Sequence, residues 1–131
     1  MEVVRRKHLV LIIAREFASN LATPTLIADD EGRLIFYNEA ADQVIGRPFA
    51  ESGAMPFDEW MASFAPRTRE GEPLPPERRP VRMALEQKRP FHMSYRVTST
   101  DGVDRDQAVT AFPLFAQAEE FVGVMAIFWR E

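Results

Sequence analysis

The stretch TLIADDEGRLIFYNEAADQVIG, residues 25–46, decides how this chain folds. Its apolar opening predicts a strand that ends in an acidic turn, where Gly32 suits a backbone position with positive φ. A second strand is predicted over 34–37. Asn38 then suits a helix N-cap, because its side-chain oxygen can accept from a free backbone N–H, and Gly46 suits the C-terminal cap. The stretch therefore predicts two strands followed by a capped helix.

The segment before this stretch predicts a helix over residues 3–21, because it lacks proline and glycine and its apolar residues recur at helical spacing. Apolar side chains surround most of this helix, so it must be covered on more than one side. We expect one side to pack on its own domain and the other on a second copy of the chain. The alternative is a helix buried wholly within one domain.

Two further helices are predicted after residue 46, separated by a proline-rich connector over 66–80. The first presents an apolar face at i, i+3, i+4 and i+7, formed by Phe57, Trp60, Met61 and Phe64. The second is predicted over 76–88, with four residues turned inward: Val81, Ala84, Leu85 and Lys88.

The last forty residues predict a three-stranded antiparallel meander over 91–98, 105–115 and 121–129. Asp101-Gly102 is a hairpin-turn signal between the first two strands. The last strand reads FVGVMAIFW without alternation, which indicates burial on both faces. The N-terminal helix or a partner subunit must therefore cover its second face, to which we assign Phe121, Met125, Ile127 and Trp129.

Length and composition limit the class of protein. The 131 residues suffice for one domain, and the formal net charge of -4 argues against a nucleic-acid partner. The absence of cysteine excludes disulfides and thiolate chemistry. The apolar run at 9–14 is too short for a signal peptide or a membrane span, so we expect a cytoplasmic protein with no membrane partner.

Four sequence motifs together resemble the PAS family of sensor domains, in its bacterial type, over nearly all of 23–131. They are ADDEGRLIFYNEAADQVIG, REGEPLPPERRPVRMAL, VTSTDGVDRDQAVTAFPLF and EFVGVMAIF. The residues that fall on the family's pattern are Asp29, Gly32, Asn38, Ala40, Ala41, Gly46, Asp101, Gly102, Pro113, Leu114 and Gly123. The resemblance implies an α+β PAS fold: a five-stranded antiparallel sheet with helices on one face, plus an N-terminal amphipathic helix over 1–22.

The resemblance implies a signal-transduction module and no catalytic residues. We expect a small apolar or aromatic ligand in the core, a homodimer, and an effector domain or protein that receives the signal. The candidate pocket residues are Ile27, Phe36, Phe57, Trp60, Met61, Phe64, Leu85, Met93, Tyr95 and Phe128. The candidate dimer-interface residues are Val10, Ile13, Phe17, Phe121, Met125, Ile127 and Trp129.

The alternative function is a ligand-free dimerisation module, because the same apolar residues can fill the core by themselves. No cofactor or metal is required by the sequence. The resemblance offers haem and non-covalent flavin as cofactors. In the family a histidine on the helix after the connector holds haem, and residues 76–89 contain no histidine. A flavin–cysteinyl adduct is excluded because the chain has no cysteine. The family's usual Asp-Ile/Val-Thr segment is replaced by Arg130-Glu131, which suggests either an excised or stand-alone sensor domain or output through the N-terminal helix.

Overall fold

The computed structural model of the chain describes residues 2–45, 49, 53–64, 66–98, 102–117 and 119–131, with the backbone alone at 2–8, 43–45 and 61–64. Its elements are α1 (Glu2–Ser19), β1 (Thr25–Asp29), β2 (Leu34–Tyr37), α2 (Glu39–Ile45), α3 (Phe57–Phe64), a 3-10 turn (Pro76–Arg78), α4 (Pro80–Gln87), β3 (Phe91–Thr98), β4 (Asp104–Phe115) and β5 (Phe121–Arg130). The five strands form one antiparallel sheet in the order β2-β1-β5-β4-β3. The predicted fold class is therefore confirmed.

Both faces of the sheet are covered, as the non-alternating β5 sequence predicts. The inner face carries the main apolar core, to which Trp60 of α3 and Val81 of α4 contribute. The outer face lies beneath α1, where Ala14 and Ala18 pack on Ile27 and Met125. Small alanine side chains let the helix lie close to the sheet, so α1 covers the second face within the same chain.

Two details differ from the sequence-based predictions. The helix predicted over 76–88 is a 3-10 turn followed by α4, and Lys88 is exposed at its C-cap with φ 55° instead of facing inward. Phe121 packs against the inner core and not on the outer face. A register irregularity between Leu114 and Phe115 in the β4–β5 pairing explains this, because one extra residue turns the side chain to the other face.

Two glycines are required by their surroundings. Gly32 has φ +85°, and a Cβ there would lie 2.9 Å from Phe57 Cδ2. At Gly123 a Cβ would lie 2.3 Å from the Ala28 carbonyl oxygen, so only glycine lets β5 pair with β1 at this point. Gly102 has φ +80°, as its predicted turn role requires, whereas Gly46 and Asp101 lie outside the described residues.

The fully buried Asn38 joins the elements of the N-terminal half. Its Oδ1 accepts from the backbone N–H of Ala41, which confirms the predicted N-cap of α2, and from that of Thr25 at the start of β1, both at 3.1 Å. Its Nδ2 donates to the carbonyl oxygens of Ala18 and Thr23, both at 2.9 Å. One amide therefore connects the end of α1, the following loop, β1 and α2.

We expect Asn38→Ala to lower the free energy of unfolding by roughly 3 kcal/mol or more, because it leaves several buried backbone groups without a partner. The measurement is urea denaturation followed by circular dichroism. Asn20→Ala is the matched control: Asn20 is exposed and makes a helix-end hydrogen bond to the Glu16 carbonyl oxygen, so a change within about 0.5 kcal/mol is expected. Equal effects of the two substitutions would contradict the role of Asn38.

Candidate functional site

A small cavity of about 50 Å³ lies within the inner core, between α4 and the sheet. Its walls are apolar side chains from α4 and the strands: Leu26, Val81, Val109, Ala126 and Phe128. Three residues of the connector and the start of α4 line it as well: Pro66, Leu74 and Pro80. We call this space the core cavity. It is much smaller than the roughly 300–1,000 Å³ of pockets that hold drug-sized ligands.

Two polar side chains, Arg79 and Tyr95, complete the lining of the core cavity. Arg79 is the N-cap residue of α4, and its Nε donates to the Leu74 carbonyl oxygen at 3.3 Å. Burial lowers the pKa of the Arg79 guanidinium from its ordinary value, although an arginine stays charged at neutral pH. Burial raises the pKa of Tyr95 to about 12, with Arg79 acting in the opposite direction, so its hydroxyl is neutral and can donate.

Gln107 lies beside Tyr95 on the inner face. It pairs directly with Tyr95 across β3 and β4 and stands two residues before Val109, so both share one face of the sheet. The side chain is buried, and its Oε1 has no hydrogen-bond partner among the described residues. Since Arg79 also acts electrostatically on Tyr95, the cavity has one polar end, formed by these two side chains, with Gln107 next to Tyr95.

The ten residues predicted as pocket lining occupy several places. Tyr95 and Phe128 line the core cavity. Phe57, Trp60, Leu85 and Met93 belong to the same inner core without lining the cavity. Ile27 and Phe36 pack instead in the outer core beneath α1, because the inner side of β1 and β2 is taken by Leu26, Leu34 and Tyr37. The side chains of Met61 and Phe64 lie outside the described part of the chain.

The aromatic residues of α3 fill their end of the core. Trp60 Nε1 donates to the Gly32 carbonyl oxygen at 3.0 Å, and its ring meets that of Phe57 edge-on at 5.7 Å. Phe57 and Leu85 in turn pack on the bare backbone of Gly32. Near Gly32, the aromatic residues therefore fill the core by themselves, as the alternative prediction held. The core cavity lies elsewhere in the same core, next to Tyr95.

The outer face carries a second candidate surface, the exposed side of α1. Leu9, Ile12, Ile13 and Phe17 are each between 56% and 58% exposed and occupy one side of the helix. We call these four residues the α1 stripe. Beside it runs a groove of about 280 Å³ between α1 and the β1–β2 hairpin, lined by Leu11, Ile12, Arg15, Ile27, Asp29, Ile35 and Phe36. The Arg15 guanidinium lies 4.6 Å from the centroid of the Phe36 ring.

The predicted interface residues divide between open and covered positions. Ile13 and Phe17 are exposed on α1, Val10 is half-buried, and Trp129 is 39% exposed beside His92, with ring centroids 5.7 Å apart. Met125 is buried beneath α1, and Ile127 packs against the same outer core. These two strand residues are covered because α1 already occupies their face, so they differ from the expectation of an open interface.

Sequence reasoning found two of the ten lining residues, Tyr95 and Phe128. It favoured aromatic and methionine side chains, and so it missed the aliphatic strand and helix residues as well as Arg79 and the connector residues Leu74 and Pro66. The prolines at 66–80 were a usable signal for a rigid connector, which makes a tight turn bridged by Arg67 and Pro73 and then a 3-10 turn before α4. Among the described residues, no group of three acidic, histidine or cysteine side chains is placed to hold a metal ion. No helix in that part of the chain is long and apolar enough to cross a membrane.

The raised pKa of Tyr95 predicts a loss of stability at alkaline pH. Between its ordinary pKa of 10.0 and the folded value of about 12, the unfolded chain binds fewer protons than the folded one. The free energy of unfolding therefore falls as pH rises through this window, by up to roughly 2–3 kcal/mol. Urea denaturation of wild type and Tyr95→Phe at pH 8 to 11.5 measures this, and we expect a flatter pH profile for the variant. Parallel profiles would contradict the assignment.

Comparisons with known proteins agree with the architecture. The chain is similar to the PAS domain of Bordetella pertussis BvgS, at 19% identity and TM-score 0.63, covering 92% of this chain and 84% of that one. It is also similar to the Vibrio cholerae VqmA dimer, at 13% identity and TM-score 0.64, covering 92% of this chain and 51% of that one. A structure of VqmA bound to DPO has the same identity and TM-score, and the match covers 92% of this chain and 57% of that one.

No curated protein sequence matches the chain significantly. At identities this low, the structural similarities show the fold alone. A family profile described as the PAS fold matches residues 18–130, which is most of the sequence. The chain therefore belongs to the PAS fold family, a family of sensory and signalling domains.

Proposed function

We propose that this chain is a signalling PAS domain that works as a homodimer, with the α1 stripe as the centre of the interface. The observation that carries the proposal is the exposure of four large apolar side chains, Leu9, Ile12, Ile13 and Phe17, on one side of a single helix. Single exposed apolar residues are normal on a soluble protein, whereas a contiguous apolar patch marks an interaction site.

A second copy of the chain suits this surface better than an unrelated partner. The stripe is convex, and the groove beside it is concave and lined by Leu11, Ile35 and Phe36. In a two-fold dimer the same surface is used twice, so the stripe of one subunit can pack in the groove of the other. The VqmA structure provides a precedent in the fold, since that protein is described as a dimer.

The signal then has a direct route from the core to the interface. Ile27 and Met125 lie under α1, while their neighbours Leu26 and Ala126 line the core cavity from the same two strands. A change in the cavity therefore acts on strands whose other face supports the interface helix. An effector protein or domain would respond to the packing of the paired α1 helices.

Ile13→Glu tests the interface. A charge at the centre of the stripe would be desolvated on association, so we expect the variant to be monomeric at micromolar concentration, where the wild type is dimeric. Sedimentation velocity measures the mass in solution. Val103→Glu is the matched control, because Val103 is also an exposed apolar residue, 49% exposed, but it lies in the β3–β4 loop. Its dimer should persist.

A variant Ile13→Glu that stays dimeric would refute the α1 interface. A wild-type chain that is monomeric across the micromolar range would refute the homodimer itself. Both results are informative only for folded protein, which circular dichroism of each variant establishes.

The core cavity favours a second candidate function, the sensing of a small molecule. An apolar cavity with one polar end is the usual form of a ligand site, and here the volume limits the occupant to a few non-hydrogen atoms. VqmA, which shares the fold, is described as bound to DPO. Large ligands such as haem or flavin do not fit a cavity of about 50 Å³.

Native mass spectrometry of the purified chain tests occupancy. Extra mass that disappears after unfolding supports the sensor and begins the identification of the ligand. A dimer at the bare protein mass, unchanged after incubation with small-molecule mixtures, supports the ligand-free dimerisation module. A monomer at bare mass contradicts both parts of the proposal.

A further inference from the structure

We infer that the core cavity takes a short aliphatic monocarboxylate, whose carboxylate is bound by Arg79 and Tyr95 and whose alkyl end packs on Val109 and Phe128. This inference rests on the proposed sensing function of the cavity and names the chemical class of its ligand. It is carried by one cationic and one hydroxyl side chain, Arg79 and Tyr95, which lie close enough to interact electrostatically in the lining of an otherwise apolar space.

The volume of the cavity sets the size of the ligand. One water molecule needs roughly 10–15 Å³ of such a space, so about 50 Å³ has room for about three to five non-hydrogen atoms. Propionate has a carboxylate at one end and two carbons at the other, and it falls at the upper limit of this range. The apolar wall opposite the polar end is built from Leu26, Val109, Ala126 and Phe128, which suits an alkyl group.

The charge of Arg79 selects an anion. Its Nε bond to the Leu74 carbonyl oxygen is 3.3 Å long, beyond the usual range of about 2.7–3.2 Å for N–H···O hydrogen bonds. A ligand carboxylate would receive a shorter, charge-assisted bond from the same fork of donors. Burial has already partly desolvated this guanidinium, and the nearby Glu77 carboxylate is the charge with which a ligand carboxylate would compete.

Tyr95 supplies the second donor. Its hydroxyl is neutral at physiological pH, so it donates a proton to the carboxylate oxygen without a repulsive charge. Tyr95 and Leu74 also line a surface groove of about 330 Å³ beside β3, which they share with the core cavity. These two side chains therefore contribute to both spaces.

The test titrates the 15N-labelled full chain with sodium propionate and, separately, with propionamide, at constant ionic strength set by sodium chloride. Propionamide has the same size and lacks the charge. We expect the amide signals of Arg79, Val109 and Phe128 to shift with propionate, and propionamide to bind at least about tenfold more weakly, the factor expected for one hydrogen bond to a charged group.

Arg79→Gln should abolish the preference for propionate, whereas Arg79→Lys should keep part of it because the charge is retained. Arg33→Gln is the matched control, since Arg33 is an exposed arginine between β1 and β2 and lines neither the core cavity nor the groove beside β3. Its titration should equal that of the wild type. The comparison of propionate with propionamide in the wild type decides the question even where Arg79→Gln fails to fold.

The outcomes separate the ligand class from the sensing function. Equal binding of both probes in the cavity would overturn the carboxylate class and leave the cavity as a neutral-ligand site. Shifts confined to surface residues around Arg69 and Arg78 would show an adventitious anion contact only and overturn the inference. No binding of either probe would overturn the inference. The sensing function is judged separately by native mass spectrometry, and the homodimer by sedimentation velocity.

Discussion

The buried amide of Asn38 is the interaction on which the arrangement of the N-terminal half depends. A helix end leaves carbonyl oxygens without intrahelical partners, a helix start leaves N–H groups, and both must be satisfied when they are buried. Asn38 serves both needs, since it accepts from Ala41 at the start of α2 and donates to Ala18 near the end of α1. Because Asn38 also accepts from the backbone N–H of Thr25, the first residue of β1, one side chain joins the end of α1 to the start of the sheet.

That connection places α1 on the outer face of β5, the central strand of the sheet, and of its neighbour β1. Ala14 and Ala18 fit closely on Ile27 and Met125, and the close approach of β5 to β1 is possible because residue 123 is glycine. The same strands turn Leu26 and Ala126 towards the core cavity. The sheet therefore separates the two candidate sites: the core cavity lies on its inner face, and α1 with its exposed stripe lies on its outer face.

Much of the fold could be predicted from residues 25–46 and from β5, because capping, turn chemistry and burial on both faces are local properties. The strand bounds are close to those predicted, and Asn38 has the predicted N-cap role. The bulge that turns Phe121 inward could not be predicted from the sequence, because it depends on how β4 pairs with β5 and has no local sequence signal. The site was predicted less well: Tyr95 and Phe128 line the cavity, but Ile27 and Phe36 lie on the opposite face.

The sequence by itself determined the family, the order of the elements and the need for a cover on the second face of the sheet. These follow from periodicity, glycine and asparagine positions, and the apolar content of single segments, all of which are encoded over short distances. Only the tertiary structure shows which apolar residues enclose the core cavity, and that the charged Arg79 lines it with them. A cavity is the volume that side chains from distant segments leave unfilled, and packing of that kind is a property of the assembled chain and of no single segment.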